Sequence, residues 1–120
     1  MKNILVIDDN KDIVDLYKTI LESSGHVCIT ANGGKAGIEQ LQSKSFDLTI
    51  LDLAMPEVSG IDVLEYVKKD PELKSAKIII VTASSPTESE AARIRKEYPI
   101  IDLIKKPINK TKLLQIINSY

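Results

Sequence analysis

The chain has 120 residues, which is enough for one domain with a single hydrophobic core and too few for that domain plus a second module. Its 16 basic and 17 acidic residues give a net charge of −1, and because the basic residues form no block, direct nucleic-acid binding is not expected. The chain starts without the apolar stretch of a secretory signal and has no segment as long as a membrane span, so we expect a cytoplasmic protein.

Five short runs rich in β-branched residues alternate with segments of helical period, a pattern typical of repeated βα units around a parallel sheet. The central runs are apolar at nearly every position, which favours strands covered by helices on both faces. We predict strands near residues 3–7, 26–30, 47–51, 77–82 and 100–104. Cys28 lies inside one of these runs and is predicted to be a small buried hydrophobe.

The first three helices are predicted from apolar stripes and from start and stop signals. The first begins at about Asn10 and ends before Gly25. Its apolar stripe is formed by Ile13, Leu16, Tyr17, Ile20 and Leu21. The second covers about residues 34–44. The third begins at a capped start at Ser59 and stops before an Asp-Pro pair at residues 70–71.

The fourth helix has a complete start signal at residues 85–88. Ser85 is the predicted N-cap, Pro86 occupies the first helical position, and Glu88 completes a capping box. The body of this helix is mostly charged, which is typical of a solvated face and equally of a surface that binds a partner. Asn109 is predicted to cap the last helix.

Polar residues stand at the ends of several predicted strands. Asp8 and Asp9 close the first apolar run, and Asp52 closes the third. Parallel α/β sheets bind ligands outside the carboxyl ends of their strands, so these carboxylates should meet. They repel one another unless a hard cation such as Mg²⁺, which prefers oxygen ligands, lies between them. Thr82 ends the fourth run and Lys106 follows the fifth, and this combination predicts a site for phosphoryl chemistry.

Each of these residues also has a simpler interpretation. A helix start, where carboxylates favour the helix dipole, accounts for Asp8 or Asp9 alone. Asp52 is consistent with a turn, Thr82 with an ordinary strand position and Lys106 with a surface lysine. The joint occurrence of all five favours a functional site.

Four motifs follow one another along the chain: residues 4–10 (ILVIDDN), residues 47–56 (DLTILDLAMP) with Gly60, residues 80–83 (IVTA) and residues 105–107 (KKP). In this order and at these spacings, they resemble the receiver domains of two-component response regulators, the chemotaxis-Y-like fold. The resemblance implies a flavodoxin-like, doubly wound α/β domain over residues 1–120. Its five-stranded parallel sheet would have the order 2-1-3-4-5, with five helices on both faces.

The resemblance implies that Asp52 accepts a phosphoryl group from a phosphohistidine on a partner and becomes an aspartyl phosphate. Asp9 looks like the main metal-ligating carboxylate, with Asp8 holding the metal partly through water. Asp52 and the backbone carbonyl of Ala54 would complete the protein's share of a Mg²⁺ site, because Mg²⁺ commonly keeps several waters.

Thr82 and Lys106 are similar in position to the family's contacts to the phosphoryl oxygens, the first a hydrogen-bond donor and the second a point charge. Lys105 is the rival for the lysine role, but strand alternation turns neighbours to opposite faces, and the family places its lysine directly before Pro107. The family also suggests a cis peptide bond between Lys106 and Pro107.

The implied phosphoryl donor is a sensor histidine kinase or a histidine phosphotransfer protein. His26 starts a strand at the opposite edge of the sheet, so the donor histidine should belong to that partner. A downstream protein would bind the face formed by the fourth helix, fifth strand and fifth helix, with no nucleic acid or membrane involved. Receivers usually carry Tyr, Phe or His three residues before the lysine, whereas Leu103 stands here, so the usual aromatic switch is missing.

We therefore expect a signalling phosphoacceptor that assists its own phosphorylation and dephosphorylation, not an enzyme. Two alternatives stay open. Haloacid-dehalogenase-like phosphatases also use an Asp nucleophile with Mg²⁺, but their nucleophile follows the first strand, where this chain has its acidic pair. A degenerate receiver that acts as a phosphorylation-independent binding module agrees with the changed switch position and disagrees with the retention of all five site residues.

Overall fold

Strands and helices alternate along the whole chain. A computed structural model describes residues 1–83 and 86–120. The strands are β1 (Asn3–Ile7), β2 (Val27–Ala31), β3 (Leu48–Leu51), β4 (Ile78–Thr82) and β5 (Ile100–Lys105). The helices are α1 (Lys11–Ser23), α2 (Gly34–Ser43), α3 (Gly60–Lys69), α4 (Glu88–Glu97) and α5 (Lys110–Ser119), and a short 3-10 turn spans Pro71–Leu73. The predicted strand bounds agree with these to within one residue.

The strands form one parallel sheet in the order β2-β1-β3-β4-β5, which confirms the predicted topology. Ile7 pairs with Ala31 on one side and with Leu51 on the other, so the ends of β2, β1 and β3 are level. Thr82 pairs with Lys105 at the same edge. Residues that follow these strands therefore emerge side by side, although they are distant in sequence.

Helices cover both faces of the sheet because successive strand side chains point to opposite sides. Ile4 and Val6 of β1 face a core built with α1 and α5, whereas Leu5 and Ile7 face a core built with α2, α3 and α4. Cys28 is buried in the first core, as predicted. None of the described helices is both long and apolar enough to cross a membrane.

The start of α4 differs from the prediction. The predicted cap, Ser85, lies outside the described residues, and the helix begins at Glu88, with Thr87 as its N-cap. The Thr87 hydroxyl accepts the Glu90 N–H at 3.1 Å, and the Glu90 carboxylate accepts the Thr87 N–H at 3.3 Å. The capping box thus forms two residues later, since Thr87 and Glu90 have the same Ser/Thr-x-x-Glu spacing.

The inward stripe of α1 was also predicted in part wrongly. Tyr17 and Leu21 are buried, but Leu16 is 53% exposed, and Val14 takes the inward position instead. Val14, Tyr17 and Leu21 follow one another at spacings of three and four residues, the period of a single helix face. The predicted caps Ser59 and Asn109 accept backbone N–H groups at the starts of their helices, and so does Asn10, where the first helix was predicted to begin.

Candidate functional site

The three carboxylates that follow β1 and β3 lie together at the carboxyl edge of the sheet. Asp8 and Asp52 are buried and Asp9 is exposed, and one carboxylate oxygen from each lies within 4.8 Å of the others. The Asp52 N–H donates to the Ile7 carbonyl at 3.0 Å, which extends the β1–β3 pairing up to the cluster. We call Asp8, Asp9 and Asp52 the acidic cluster.

Lys106 places a positive charge between two of these carboxylates. Its Nζ lies 2.6 Å from Asp8 Oδ2 and 3.7 Å from Asp52 Oδ1, and its side chain is 12% exposed. The Lys106 N–H donates to the Thr82 carbonyl at 2.8 Å, which fixes the chain where it leaves the sheet. Lys105, the rival lysine, is exposed. The peptide bond between Lys106 and Pro107 is cis.

The environment of Asp52 opposes its negative charge. Burial, and after it the charge of Asp8, raise the pKa of Asp52 above its ordinary value. The Lys106 ammonium and the backbone N–H of Ala54, which donates to the Asp52 carboxylate, act in the other direction without reversing the shift. A positively charged ligand that approaches Asp52 is therefore favoured by this site.

Thr82 and Ala54 border the acidic cluster. Thr82 is the last residue of β4 and is fully buried, and its carbonyl is tied to Lys106. Ala54 is exposed, two residues after Asp52 in the loop that leads to α3. The structure thus brings Asp8, Asp9, Asp52 and Lys106 into direct proximity, with the Thr82 backbone bonded to Lys106 and the Ala54 backbone bonded to Asp52.

Gly60, the first residue of α3, packs against the backbone of Asp52. A Cβ at this position would lie 2.3 Å from the Asp52 carbonyl oxygen and 2.6 Å from the Leu53 Cα. The Gly60 N–H also donates to the Leu53 carbonyl at 2.9 Å. Because backbone atoms cannot rotate aside as a flexible side chain can, a side chain at position 60 would have to displace Asp52.

Two residues next to the cluster were not predicted as part of its surroundings. Asn10 caps α1, and its own N–H donates to Asp8 Oδ1 at 3.0 Å, so the helix start holds this carboxylate in place. Tyr17 is a buried residue of α1, and burial, with smaller contributions from Asp8 and Asp52, raises its pKa to about 12. The sequence predicted that the first helix begins near this asparagine, but the bond from its N–H to Asp8 depends on loop geometry that sequence patterns do not specify.

The donor set of the acidic cluster fits a small, hard cation. Carboxylate oxygens are preferred ligands of Mg²⁺, which takes few protein ligands and completes its shell with water. Two of the three carboxylates, those of Asp8 and Asp52, are buried, and the Lys106 ammonium offsets part of their negative charge. The exposed Asp9 leaves the cluster open to solvent on one side, where water ligands have access.

The sheet order and the acidic cluster are those expected of a receiver domain, and comparison with known families leads to the same class of protein. A model of the response regulator receiver domain matches residues 4–118, and the chain belongs to this family. Receiver domains are signalling phosphoacceptors and are generally not classed as enzymes. In two-component systems they interact with histidine kinases and downstream targets.

Individual relatives agree with this assignment. The polar-differentiation response regulator DivK of Brucella ovis is 30% identical over 119 residues, covering 99% of this chain and 95% of the relative. The structure of the response regulator TrrA from Thermotoga maritima, in complex with Mg(2+)-BeF, is 33% identical, with a TM-score of 0.84 and coverage of 99% and 98% of the two chains. The chemotaxis protein CheY4 of Vibrio cholerae, at 24% identity, shares the fold with a TM-score of 0.89 and coverage of 99% and 98%.

Proposed function

We propose that Asp52 is the phosphoacceptor of a two-component phosphorelay and that its phosphorylation switches the binding of a partner protein. The observation that carries this proposal is the position of the Lys106 ammonium between Asp8 and Asp52. Asp9 lies at the same edge of the sheet and is exposed to solvent. A nucleophile and a positive charge for the phosphoryl oxygens are thus close together in a chain of the receiver family.

In the proposed reaction, an Asp52 carboxylate oxygen attacks the phosphorus of a phosphohistidine on the partner. A P–O bond forms, the P–N bond breaks, and the departing imidazole nitrogen recovers a proton. Phosphoryl transfer is catalysed mainly by positioning and electrostatics. Gly60 and the hydrogen bond from the Asp52 N–H to the Ile7 carbonyl fix the position of the attacking residue. The Thr82 hydroxyl donates to one phosphoryl oxygen, and the Lys106 ammonium pairs with another.

The residues that would hold Mg²⁺ are Asp8, Asp9, Asp52 and the backbone carbonyl of Ala54. When bound there, Mg²⁺ would neutralise the charge that the carboxylates and the phosphoryl oxygens share. The fit rests on the clustered carboxylates and the raised pKa of Asp52. The structural relative solved with Mg(2+)-BeF supports the choice of metal.

The test is incubation of the protein with Mg²⁺ and acetyl phosphate, followed by intact mass measurement. We expect the addition of one phosphoryl group, stable in acid and labile in base, that Asp52→Asn abolishes. Asp12→Asn, which removes an exposed carboxylate from the first turn of α1, is the matched control and should leave the adduct unchanged.

Two other outcomes correspond to the alternative functions. A phosphatase would turn over many equivalents of acetyl phosphate and would lose more activity with Asp8→Asn than with Asp52→Asn. A phosphorylation-independent binding module would form no adduct and show no turnover. Either result would contradict the proposal.

We further propose a sensor histidine kinase or a histidine phosphotransfer protein as the donor, the cytoplasm as the compartment, and the face of α4, β5 and α5 as the output surface. Leu103 is half-exposed on β5 and offers an apolar contact on this face. Asp102 accepts from Tyr120 Oη at 3.4 Å and lies 3.9 Å from Arg95 Nη2, so one side chain links β5 to both flanking helices. A downstream partner whose affinity did not change on phosphorylation would contradict the switching part of the proposal.

A further inference from the structure

A second charged region lies at the opposite edge of the sheet from the acidic cluster. There, a groove of about 470 Å³ separates the C-terminal end of α3 and the 3-10 turn from the C-terminal end of α4. Tyr98 and Pro99 line it just before β5 begins, which places the groove at the amino ends of the strands. The phosphoacceptor site follows strand ends, so the two regions are separated by the length of the sheet.

Lysines from three separate segments converge on this groove. Lys68 and Lys69 come from the last turn of α3, Lys74 follows the 3-10 turn, and Lys96 comes from the last turn of α4. Lys74 and Lys96 form no ion pair with any residue in the described ranges 1–83 and 86–120, and Lys69 lies 3.8 Å from an exposed partner, Glu65. The overall charge of the chain is −1, so the groove differs in sign from the chain as a whole.

The acidic side chains on the groove wall offset this charge only in part. Asp70 is engaged within its own segment, because its Oδ1 accepts the Glu72 N–H at 2.9 Å and its Oδ2 accepts from Tyr66 Oη at 3.3 Å. Glu97 is the other acidic residue on the wall. Counted with Glu65, which contacts Tyr98 and Lys69, three carboxylates stand against four ammonium groups, so the groove keeps a small positive excess.

The floor of the groove is apolar and rigid. Val67 and Tyr98 are buried, and Tyr98 Oη donates to Glu65 Oε1 at 2.6 Å, which fixes the ring. Pro71 and Pro99 are exposed and also line the groove, and Lys68 Nζ lies 5.6 Å from the centroid of the Tyr98 ring. Binding sites for small molecules combine a pocket of this size, an apolar floor and a few convergent polar groups.

We propose that this groove binds a small organic anion, a molecule with two or more negative charges on a compact apolar body. The lysines would pair with the charged groups, and the exposed Pro71 and Pro99 would accept the apolar body. Lysines at helix C-termini also favour the helix dipole, but Lys74 belongs to neither helix and still lines the same groove.

The test is an NMR titration of the full chain, labelled with ¹⁵N. EDTA is present so that no metal bridges the probe to the acidic cluster. Three probes separate charge from apolar contact: ADP, inorganic pyrophosphate and adenosine. We expect saturable amide shifts confined to residues 67–74 and 96–100, with ADP binding more tightly than pyrophosphate and adenosine not binding measurably.

Two double variants supply the matched comparison. Lys74→Gln with Lys96→Gln should weaken ADP binding by about tenfold, because charge-assisted contacts are lost. Lys18→Gln with Lys110→Gln removes the same charge from exposed positions elsewhere and should change ADP affinity by less than about twofold. Thermal unfolding of both variants checks that they are folded.

The proposal is overturned if no probe saturates, if both double variants lose affinity equally, or if a polyglutamate peptide binds this groove more tightly than ADP. The groove and Asp52 are tested independently of each other. Asp52→Asn should keep ADP binding, and Lys74→Gln with Lys96→Gln should keep phosphorylation by acetyl phosphate, so failure of either proposal is distinguishable from failure of the other.

Discussion

Lys106 balances charge in the acidic cluster before any ligand arrives. Its ammonium is nearly buried and contacts Asp8 while lying close to Asp52. Removal of one partner of a buried ion pair leaves uncompensated charge in a poorly solvated place, which typically costs about 3 kcal/mol. Lys106→Met should therefore lower the free energy of unfolding by about 3 kcal/mol, measured by urea denaturation in EDTA.

Lys105→Met is the matched control for this measurement. Lys105 is the preceding residue and is exposed, so its replacement should change the free energy of unfolding by about 0.5 kcal/mol or less. Equal losses in the two variants would show that the contact with Asp8 and Asp52 does not contribute as described.

His26 gives the fold a dependence on pH at the other edge of the sheet. The Lys2 N–H donates to His26 Nδ1 at 3.1 Å, and this acceptor is lost when the imidazole is protonated. Burial, followed by the N-terminal and Lys2 charges, lowers the pKa of His26. A histidine with a lowered pKa in the folded state binds fewer protons there than in the unfolded chain, so its contribution to stability is present at neutral pH and is lost as pH falls.

We expect the free energy of unfolding of the parent to fall, relative to His26→Gln, as pH decreases from about 7.5 to about 5.5 across the ordinary pKa of histidine. Both proteins share the titration of their carboxyl groups, so the difference between their denaturation midpoints isolates the imidazole. A difference that stays constant over this pH range would contradict the role given to Nδ1.

The start of α3 determines where Asp52 sits. Gly60 leaves no room for a side chain beside the Asp52 and Leu53 backbone, and overpacking of this kind typically costs about 1–3 kcal/mol. Gly60→Ala should lower the free energy of unfolding by about 2 kcal/mol and also slow phosphorylation by acetyl phosphate, because the attacking carboxylate is displaced.

Gly25→Ala separates backbone strain from displacement of the site. Gly25 has a φ of 88° but open space around its Cβ position, and it lies in the turn between α1 and β2. Its replacement should lower stability by about 1 kcal/mol and leave the phosphorylation rate unchanged. A Gly60→Ala protein that is phosphorylated at the parent rate would disprove the positioning role.

The capping box of α4 can be tested in the same way. Thr87→Ala removes the acceptor for the Glu90 N–H and should cost about 1 kcal/mol of unfolding free energy. Ser89→Ala, inside the first turn and exposed, is the control and should be neutral or slightly stabilising because alanine has the higher helix propensity. A larger loss for Ser89→Ala than for Thr87→Ala, measured by thermal unfolding, would place the helix start elsewhere.

Across the whole molecule, the sequence predicted best what depends on local pattern and chain topology. Strand periodicity predicted a parallel sheet, which brings Asp8 and Asp52 to one edge because both directly follow strands, and they meet because β1 and β3 are neighbours. Family resemblance supplied the strand order, which the structure confirms. Burial of these side chains and the position of Lys106 then follow from the same topology.

What sequence patterns could not predict depends on competition between near-equivalent local choices or on contacts across loops. Ser85 and Thr87 both begin a plausible capping box, and the described structure uses Thr87. Leu16 and Val14 both fit an apolar stripe, and the packing of α1 against the sheet buries Val14. The groove lined by Lys74 and Lys96 unites segments with no shared motif, so only the folded chain brings them together.

The proposed Mg²⁺ site at the acidic cluster predicts that the stability of the whole domain depends on divalent cations. An ion that binds the folded cluster and not the unfolded chain raises the free energy of unfolding by mass action, by about 1.4 kcal/mol for each tenfold increase in Mg²⁺ above the dissociation constant. We expect this slope in thermal or urea unfolding of the parent protein as Mg²⁺ is increased at constant ionic strength.

Asp9→Asn should reduce the Mg²⁺ dependence strongly, because it removes the exposed carboxylate of the cluster without leaving a buried charge unpaired. Asp12→Asn, three residues along and exposed in the first turn of α1, removes the same charge outside the cluster and should keep the parent slope. If both variants lost the dependence equally, Mg²⁺ would be acting as a general counterion on acidic surface, since a specific site made of Asp8, Asp9 and Asp52 requires the two variants to differ.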